Sequence, residues 1–131
     1  MGFIGLGLMG QAFTERLVAT GHLVRGYDIV ADKIARAAAH GVRPAGSAAE
    51  VARASGTVHV CVMTKDDLAA AVFGPGGIAE GAAADKVLVD HSTTEAASTL
   101  DFAARLTADT GMRWVDAPVS GGPPAAAAGS L

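Results

Sequence analysis

The sequence predicts an α/β fold of the doubly wound kind, a mostly parallel sheet with helices on both faces. Three observations carry that prediction. Short β-branched, apolar runs alternate with segments of helical period from end to end. The runs at 57–62 and 87–90 are near-continuously apolar rather than alternating, as strands covered on both faces are. The first apolar run ends in three spaced glycines that open directly into a helix.

The elements follow in order. Phe3 and Ile4 read as the end of a buried strand, and 11–18 as a helix with Phe13, Leu17 and Val18 at helical spacing. Between them lies Gly5-Leu6-Gly7-Leu8-Met9-Gly10. In that context the first glycine permits a tight turn, the second lets backbone approach a pyrophosphate, and the third lets helix pack on strand. The helix N-terminus then offers free N–H groups and partial positive charge to the phosphates. A second apolar run, 23–27, delivers Asp28, eighteen positions past Gly10. An acid about 20 residues beyond the glycines, at the end of the second strand, is where a ribose 2′-hydroxyl is held. Strand, glycines, helix, strand and acid together predict a dinucleotide-binding domain of Rossmann type.

Residues 31–40 form an alanine-rich helix ended by Gly41, and 42–45 a short extended piece. Ser47 with Glu50 reads as a capping box for a helix through Ala54. In the strand at 57–62, His59 reads as a satisfied sheet residue and Cys61 as a buried thiol. The loop at 63–67 leaves the carboxyl end of that strand, where ligands bind in open α/β sheets, and a helix follows over 68–73. Gly74-Pro75-Gly76-Gly77 breaks the chain. The strand at 87–90 exits into His91-Ser92-Thr93-Thr94, whose hydroxyls either cap the next helix or also touch a ligand. Ser92 with Glu95 reads as a second capping box, for a helix reaching about Thr110. Trp114-Val115 is the last strand signal. It leads to Asp116-Ala117-Pro118-Val119-Ser120-Gly121-Gly122-Pro123-Pro124 and then a low-complexity patch, 125–128.

Composition narrows the function classes. A chain of 131 residues makes one domain, and half its residues are apolar, with many alanines and few aromatics, so the core is built from close helix–sheet contacts. Net charge is −3 and the ten Lys and Arg are scattered, which argues against nucleic acid as a ligand. The single Cys61 fits a reducing compartment. No apolar stretch reaches the ~20 residues of a membrane span. No basic leader precedes the first strand, and Leu6 stands where N-myristoylation wants Ser or Thr, so the expected location is the cytoplasm. No metal site is expected.

At its second glycine motif the chain resembles the β-hydroxyacid dehydrogenase family, which includes 3-hydroxyisobutyrate dehydrogenase, tartronate semialdehyde reductase and 6-phosphogluconate dehydrogenase. The resemblance rests on Gly5-Leu6-Gly7-Leu8-Met9-Gly10 near one end and on Asp116-Ala117-Pro118-Val119-Ser120-Gly121-Gly122, with Ala126 and Gly129, near the other. It departs at Met63, where proline is common, at Arg16, where asparagine is usual, and at Ala125, where glycine is frequent. The resemblance implies that Ser120, Gly121 and Gly122 contact the substrate's carboxylate and hydroxyl. It also implies that Val62, Met63, Asp67 and Thr93 face the dinucleotide beside Gly5, Leu6, Gly7, Leu8, Met9, Gly10 and Asp28. Adjacent glycines expose backbone N–H groups and a serine hydroxyl both donates and accepts, which suits that role.

For the cofactor, NAD is favoured over NADP. Asp28 repels a 2′-phosphate, and Ile29 stands where NADP-using relatives tend to carry arginine; Arg25 and Arg36 are the cations that could approach. The family's chemistry, as the resemblance implies it, is hydride transfer between nicotinamide and a small β-hydroxy acid, with a lysine as general acid/base in an all-helical second domain. Lys33, Lys65 and Lys86 do not stand in that context, so no catalytic residue is assigned, and residues 1–131 are expected to be the cofactor domain, inactive alone. An imine reductase cofactor domain and a non-catalytic dinucleotide-binding module are the alternatives. Self-association through helices left without a partner domain is also expected.

Overall fold

A computed structural model describes residues 1–131. The strands are β1 (Gly2–Ile4), β2 (Arg25–Tyr27), β3 (Arg43–Pro44), β4 (Thr57–Val60), β5 (Val87–Asp90) and β6 (Arg113–Asp116). The helices are α1 (Leu8–Ala19), α2 (Ala31–Ala39), α3 (Ala48–Arg53), α4 (Lys65–Phe73), α5 (Ala96–Thr110) and α6 (Gly122–Ala128), with a 3-10 turn at Ile78–Gly81. All six strands are parallel, in the order β3-β2-β1-β4-β5-β6. This is the doubly wound order, and it reverses direction between β1 and β4, where a crevice opens at the carboxyl ends.

Period-two alternation assigns each side chain to a face. Ile4, Val58, Val60 and Leu88 point to one side and pack with Val51, Leu68, Val72, Leu106 and Met112 from α3, α4, α5 and the chain beyond α5. Phe3 points to the other, joining Leu6, Val24, Ala37 and Val42 under α1 and α2. Phe3, Leu6, Leu68, Leu88 and Leu106 are fully buried, each worth about 2 kcal/mol of apolar transfer. Helix α3 is closed at its C-terminal end by Lys86, whose ammonium donates to the carbonyls of Ala52 (2.6 Å), Arg53 (2.9 Å) and Ser55 (3.0 Å). A cation there also complements the helix dipole.

The predicted elements are present, and the differences have local causes. Helix α1 starts at Leu8, so Gly10 lies inside its first turn. Helix α4 starts at Lys65, three residues before the predicted start. Thr64 and Asp67 form the reciprocal capping box there, an N-cap signal that the apolar period does not show. Ser47 does accept from the Glu50 N–H, but Glu50 reaches back to the N–H of Gly46, so that box is only half formed. Ser92 does not cap α5; Glu95 is the N-cap, and the Ser92 hydroxyl accepts instead from the N–H of Val62. Helix α6 occupies the low-complexity patch. Its alanines carry no hydrophobic period, yet Ala126 is buried and α6 packs on α1 with Arg16 beside Gly129. No helix is long and apolar enough to cross a membrane, and no three His, Cys, Asp or Glu residues group as a metal site.

Candidate functional site

A cleft of about 760 Å³ lies at the carboxyl ends of β1, β2, β4 and β5. The chain builds it from the glycine turn upward. Gly5 takes φ +87°, and a side chain there would run into the Cys61 carbonyl, so glycine is required twice over. Gly10 takes an ordinary helical conformation, but a methyl there would overlap the Gly5 carbonyl oxygen and press on Phe3. Gly7 differs from both. Its φ is −70°, which any residue adopts, and an added Cβ meets no atom within 4 Å. Neither conformation nor packing asks for glycine at 7; the bare backbone borders the open cleft. Gly7 is also the N-cap of α1 and supplies no side-chain cap, which leaves the first N–H groups of the helix unpaired by protein side chains.

Asp28 fastens this turn. It is 7% exposed, and its Oδ2 accepts from the Leu6 N–H at 2.7 Å while Oδ1 accepts from the Val30 N–H at 2.9 Å. Lys33 stands 3.7 Å from Oδ1. A carboxylate has acceptor sites beyond these two, and Asp28 lines the cleft, so the acid can still accept from a hydroxyl.

Of the residues named from the sequence, Gly5, Gly7, Leu8, Met9, Gly10, Asp28, Val62, Met63, Asp67 and Thr93 all line the cleft. Leu6 does not; its side chain is buried, and its backbone serves the turn, the N–H donating to Asp28 and the carbonyl accepting from Gln11 Nε2 at 2.9 Å. Ser120, Gly121 and Gly122 do not line it either, although Val119 and Pro123 on either side do. The cations also sort out. Arg25 is paired with Glu50 at 3.1 Å, away from the cleft. Lys33 lines the cleft, and Arg36 joins it around a small recess beside Gly7. Lys33 carried no sequence signal, because its approach depends on how α2 returns over β2.

The far wall joins β4 to β5. Ser92 ties the two strand exits through Val62, and its own N–H donates to Asp90 Oδ1 at 2.9 Å. Asp90 is fully buried and its Oδ2 has no partner. Burial raises its pKa from the ordinary aspartate value; the Ser92 hydrogen bonds oppose the rise, and Asp116, opposite it in the ladder, adds to it. Cys61 is only partly buried and lines the cleft, contrary to the expected core thiol; burial, then the Asp90 charge, pushes its pKa up and keeps it protonated. His59 and His91 face the α1 side as a hydrogen-bonded pair, and His91 also reaches the cleft.

Comparison with known proteins gives this architecture a family. The family described as the NAD binding domain of 6-phosphogluconate dehydrogenase matches residues 1–131. The 2-(hydroxymethyl)glutarate dehydrogenase of Eubacterium barkeri is 35% identical over 131 residues, covering 100% of this chain and 43% of that protein. Among solved structures, 3-hydroxyisobutyrate dehydrogenase of Mycobacterium tuberculosis with L-serine is 34% identical with a TM-score of 0.89, over 97% of this chain and 42% of that one. Psf3 in complex with NADP+ and 2-OPP is 29% identical with a TM-score of 0.91, over 98% of this chain and 45% of that one. The chain therefore spans less than half the length of these relatives.

Proposed function

The chain belongs to this family of NAD-binding domains, the cofactor-binding part of the β-hydroxyacid dehydrogenases, and from that premise we propose how its residues act. The cleft binds a nicotinamide dinucleotide, NAD in preference to NADP, as the cofactor unit of an enzyme that oxidises or reduces a small β-hydroxy acid. The observation that carries the reading is Gly7. Nothing in the backbone or the packing requires glycine there, so the missing side chain is room for a ligand. A pyrophosphate placed beside it would meet the open N–H groups of α1 and their dipole.

When bound, the dinucleotide supplies a hydride donor or acceptor. The protein's own part is to hold and orient. Asp28 accepts from the adenosine ribose with its remaining lone pairs, and its charge disfavours a 2′-phosphate. Val62, Met63 and Thr93 form the wall along which the nicotinamide half extends. Ser120, Gly121 and Gly122, outside the cleft wall but next to its lining residue Val119, orient the hydroxy acid at the mouth. Proton transfer to the substrate falls to a group outside these 131 residues, in a partner domain, so the chain alone binds cofactor without turning over.

Calorimetric titration with NADH and with NADPH tests the reading, on the wild-type chain and on Gly7→Ala. The expected result is tighter NADH binding in the wild type and at least tenfold weaker binding in Gly7→Ala. Thermal stability should stay within about 1 kcal/mol, the cost of alanine at an N-cap. Equal affinity for NADH in the two proteins would sink the assignment of Gly7 to the phosphate.

A further inference from the structure

The two histidines on the α1 side of the sheet form a chain of hydrogen bonds that ends on the loop carrying Ser120. His59 Nδ1 lies 3.0 Å from His91 Nε2, and His91 Nδ1 lies 2.9 Å from the carbonyl oxygen of Ala117. A carbonyl only accepts, so His91 Nδ1 carries a hydrogen. In the neutral ring Nε2 is then an acceptor, and His59 Nδ1 must be the donor to it. The chemistry of one end thus sets both tautomers. The rings are held flat by neighbours: Phe13 from α1 lies parallel to His91 at 4.9 Å between centroids, and Phe3 from β1 lies parallel to His59 at 5.8 Å.

Ala117 is the last residue that the sheet controls. Its N–H donates to the Asp90 carbonyl at 2.8 Å, and the next residue, Pro118, has no N–H with which to extend the ladder. Beyond it come Val119, which lines the cleft, and Ser120, Gly121 and Gly122, which make no hydrogen bond back to the sheet. The direction in which this loop leaves β6 therefore depends on what holds the Ala117 carbonyl.

We infer that His91 is a positioning residue for the 118–122 loop, fixing its departure from the sheet through the Ala117 carbonyl, and that His59 is the half-buried donor that locks His91 in the tautomer this requires. The inference rests on the reading above in one respect, that this loop meets the substrate. His59 suits its part, because burial, then His91 and the N-terminal ammonium, press its pKa down to about 4 and keep it neutral at ordinary pH. Histidine serves here where phenylalanine would fill the same space, because only the imidazole presents an acceptor to the core and a donor to the loop.

Nitrogen-15 NMR of the chain at pH 7 tests this directly. Both imidazoles, in their neutral forms, should show the Nδ1–H tautomer in long-range proton–nitrogen spectra. In His91→Phe, which keeps the ring stack and loses the donor, backbone order parameters over 119–121 should fall from about 0.85 to below about 0.6. Amide exchange at Ala117 should quicken at least tenfold. In His91→Asn, whose side-chain amide can place an N–H where Nδ1 stands, both should return toward wild type. An Nε2–H tautomer at His91, or loop order unchanged in His91→Phe, would overturn the inference. If His91→Phe does not fold, the wild-type tautomers and the His91→Asn order parameters decide the matter. NADH titration of the same proteins separates the two readings, since failure of the wild type to bind NADH would count against the proposed function and leave the tautomer result standing.

Discussion

Substituting Asp28 separates the task its carboxylate performs in the fold from the cofactor selection proposed for it. Its two oxygens accept from the Leu6 and Val30 N–H groups, the first of these buried at 2.7 Å. Asparagine offers one acceptor oxygen and turns an NH2 group toward the other donor, so Asp28→Asn loses one charge-assisted bond and strands a backbone N–H. That costs about 2–3 kcal/mol, or a fall of about 10 °C in Tm for a chain of this length. A looser turn weakens every dinucleotide alike. The second task is selective. Removing the negative charge lifts its repulsion of a 2′-phosphate and frees Lys33, now 3.7 Å from Oδ1, to pair with that phosphate. At the screening of a cleft edge this is worth about 1–2 kcal/mol, roughly a tenfold shift of the NADPH to NADH affinity ratio toward NADPH. Calorimetric titration of both cofactors, well below the Tm of the variant, measures the ratio independently of the common loss. If both affinities fall by the same factor, Asp28 is a fastener of the glycine turn only, and the argument for NAD from its charge is refuted.

Four further outcomes follow from the same geometry. Gly10→Ala forces α1 off β1 at the Gly5 carbonyl, so it should lose about 3 kcal/mol in urea unfolding, in contrast to the near-neutral Gly7→Ala. Lys86→Met leaves three carbonyls at the end of α3 without their donor and should cost about 2–3 kcal/mol in the same assay, with NADH affinity unchanged once folded. The His59 pKa, lowered from 6.5 to about 4, makes its stabilising effect complete above pH 6.5 and lost as pH falls toward 4. Asp90, with its raised pKa, works in the opposite sense, so the comparison is between wild type and His59→Leu: acidification from pH 7 to 4.5 should destabilise wild type by about 2 kcal/mol more. Ile29 is 87% exposed at the cleft, and Ile29→Arg should tighten NADPH about fivefold without moving the Tm, as titration and thermal scans would show.

What the sequence made legible is what local chemistry dictates. The apolar runs of β4 and β5, the spaced glycines at the opening of α1 and the acid after β2 each carry their own reason; the runs are strands, and the glycines and the acid border the cleft. The elements it hid depend on partners far along the chain. Helix α6 has only alanines and prolines to declare it and exists because α1 offers a surface close enough for Ala126 to bury. Ser92 looked like a cap because Glu95 stands three residues on, but in the fold the Val62 N–H is nearer and takes the hydroxyl. His59 reads from the sequence as a satisfied sheet residue, but the partner that satisfies it, His91, is brought alongside only by the parallel pairing of β4 with β5. Lys33 reaches Asp28 across the turn that joins β2 to α2, which no periodicity encodes.

The three glycines of the turn show how a motif mixes folding with function. In the sequence they are equivalent letters. In the fold Gly5 is demanded by a positive φ and by the Cys61 carbonyl, and Gly10 by the carbonyl of Gly5, so a chain that bound nothing would need both. Gly7 alone has an ordinary backbone and empty space where its side chain would be. As an N-cap, glycine is tolerated but offers the helix N–H groups no side-chain acceptor, which Ser, Thr, Asp or Asn would supply. On the proposed reading a ligand occupies that space, whereas Gly5 and Gly10 testify only to the turn. The dinucleotide reading therefore stands or falls with Gly7 and with the open helix terminus it leaves, more than with the motif taken whole.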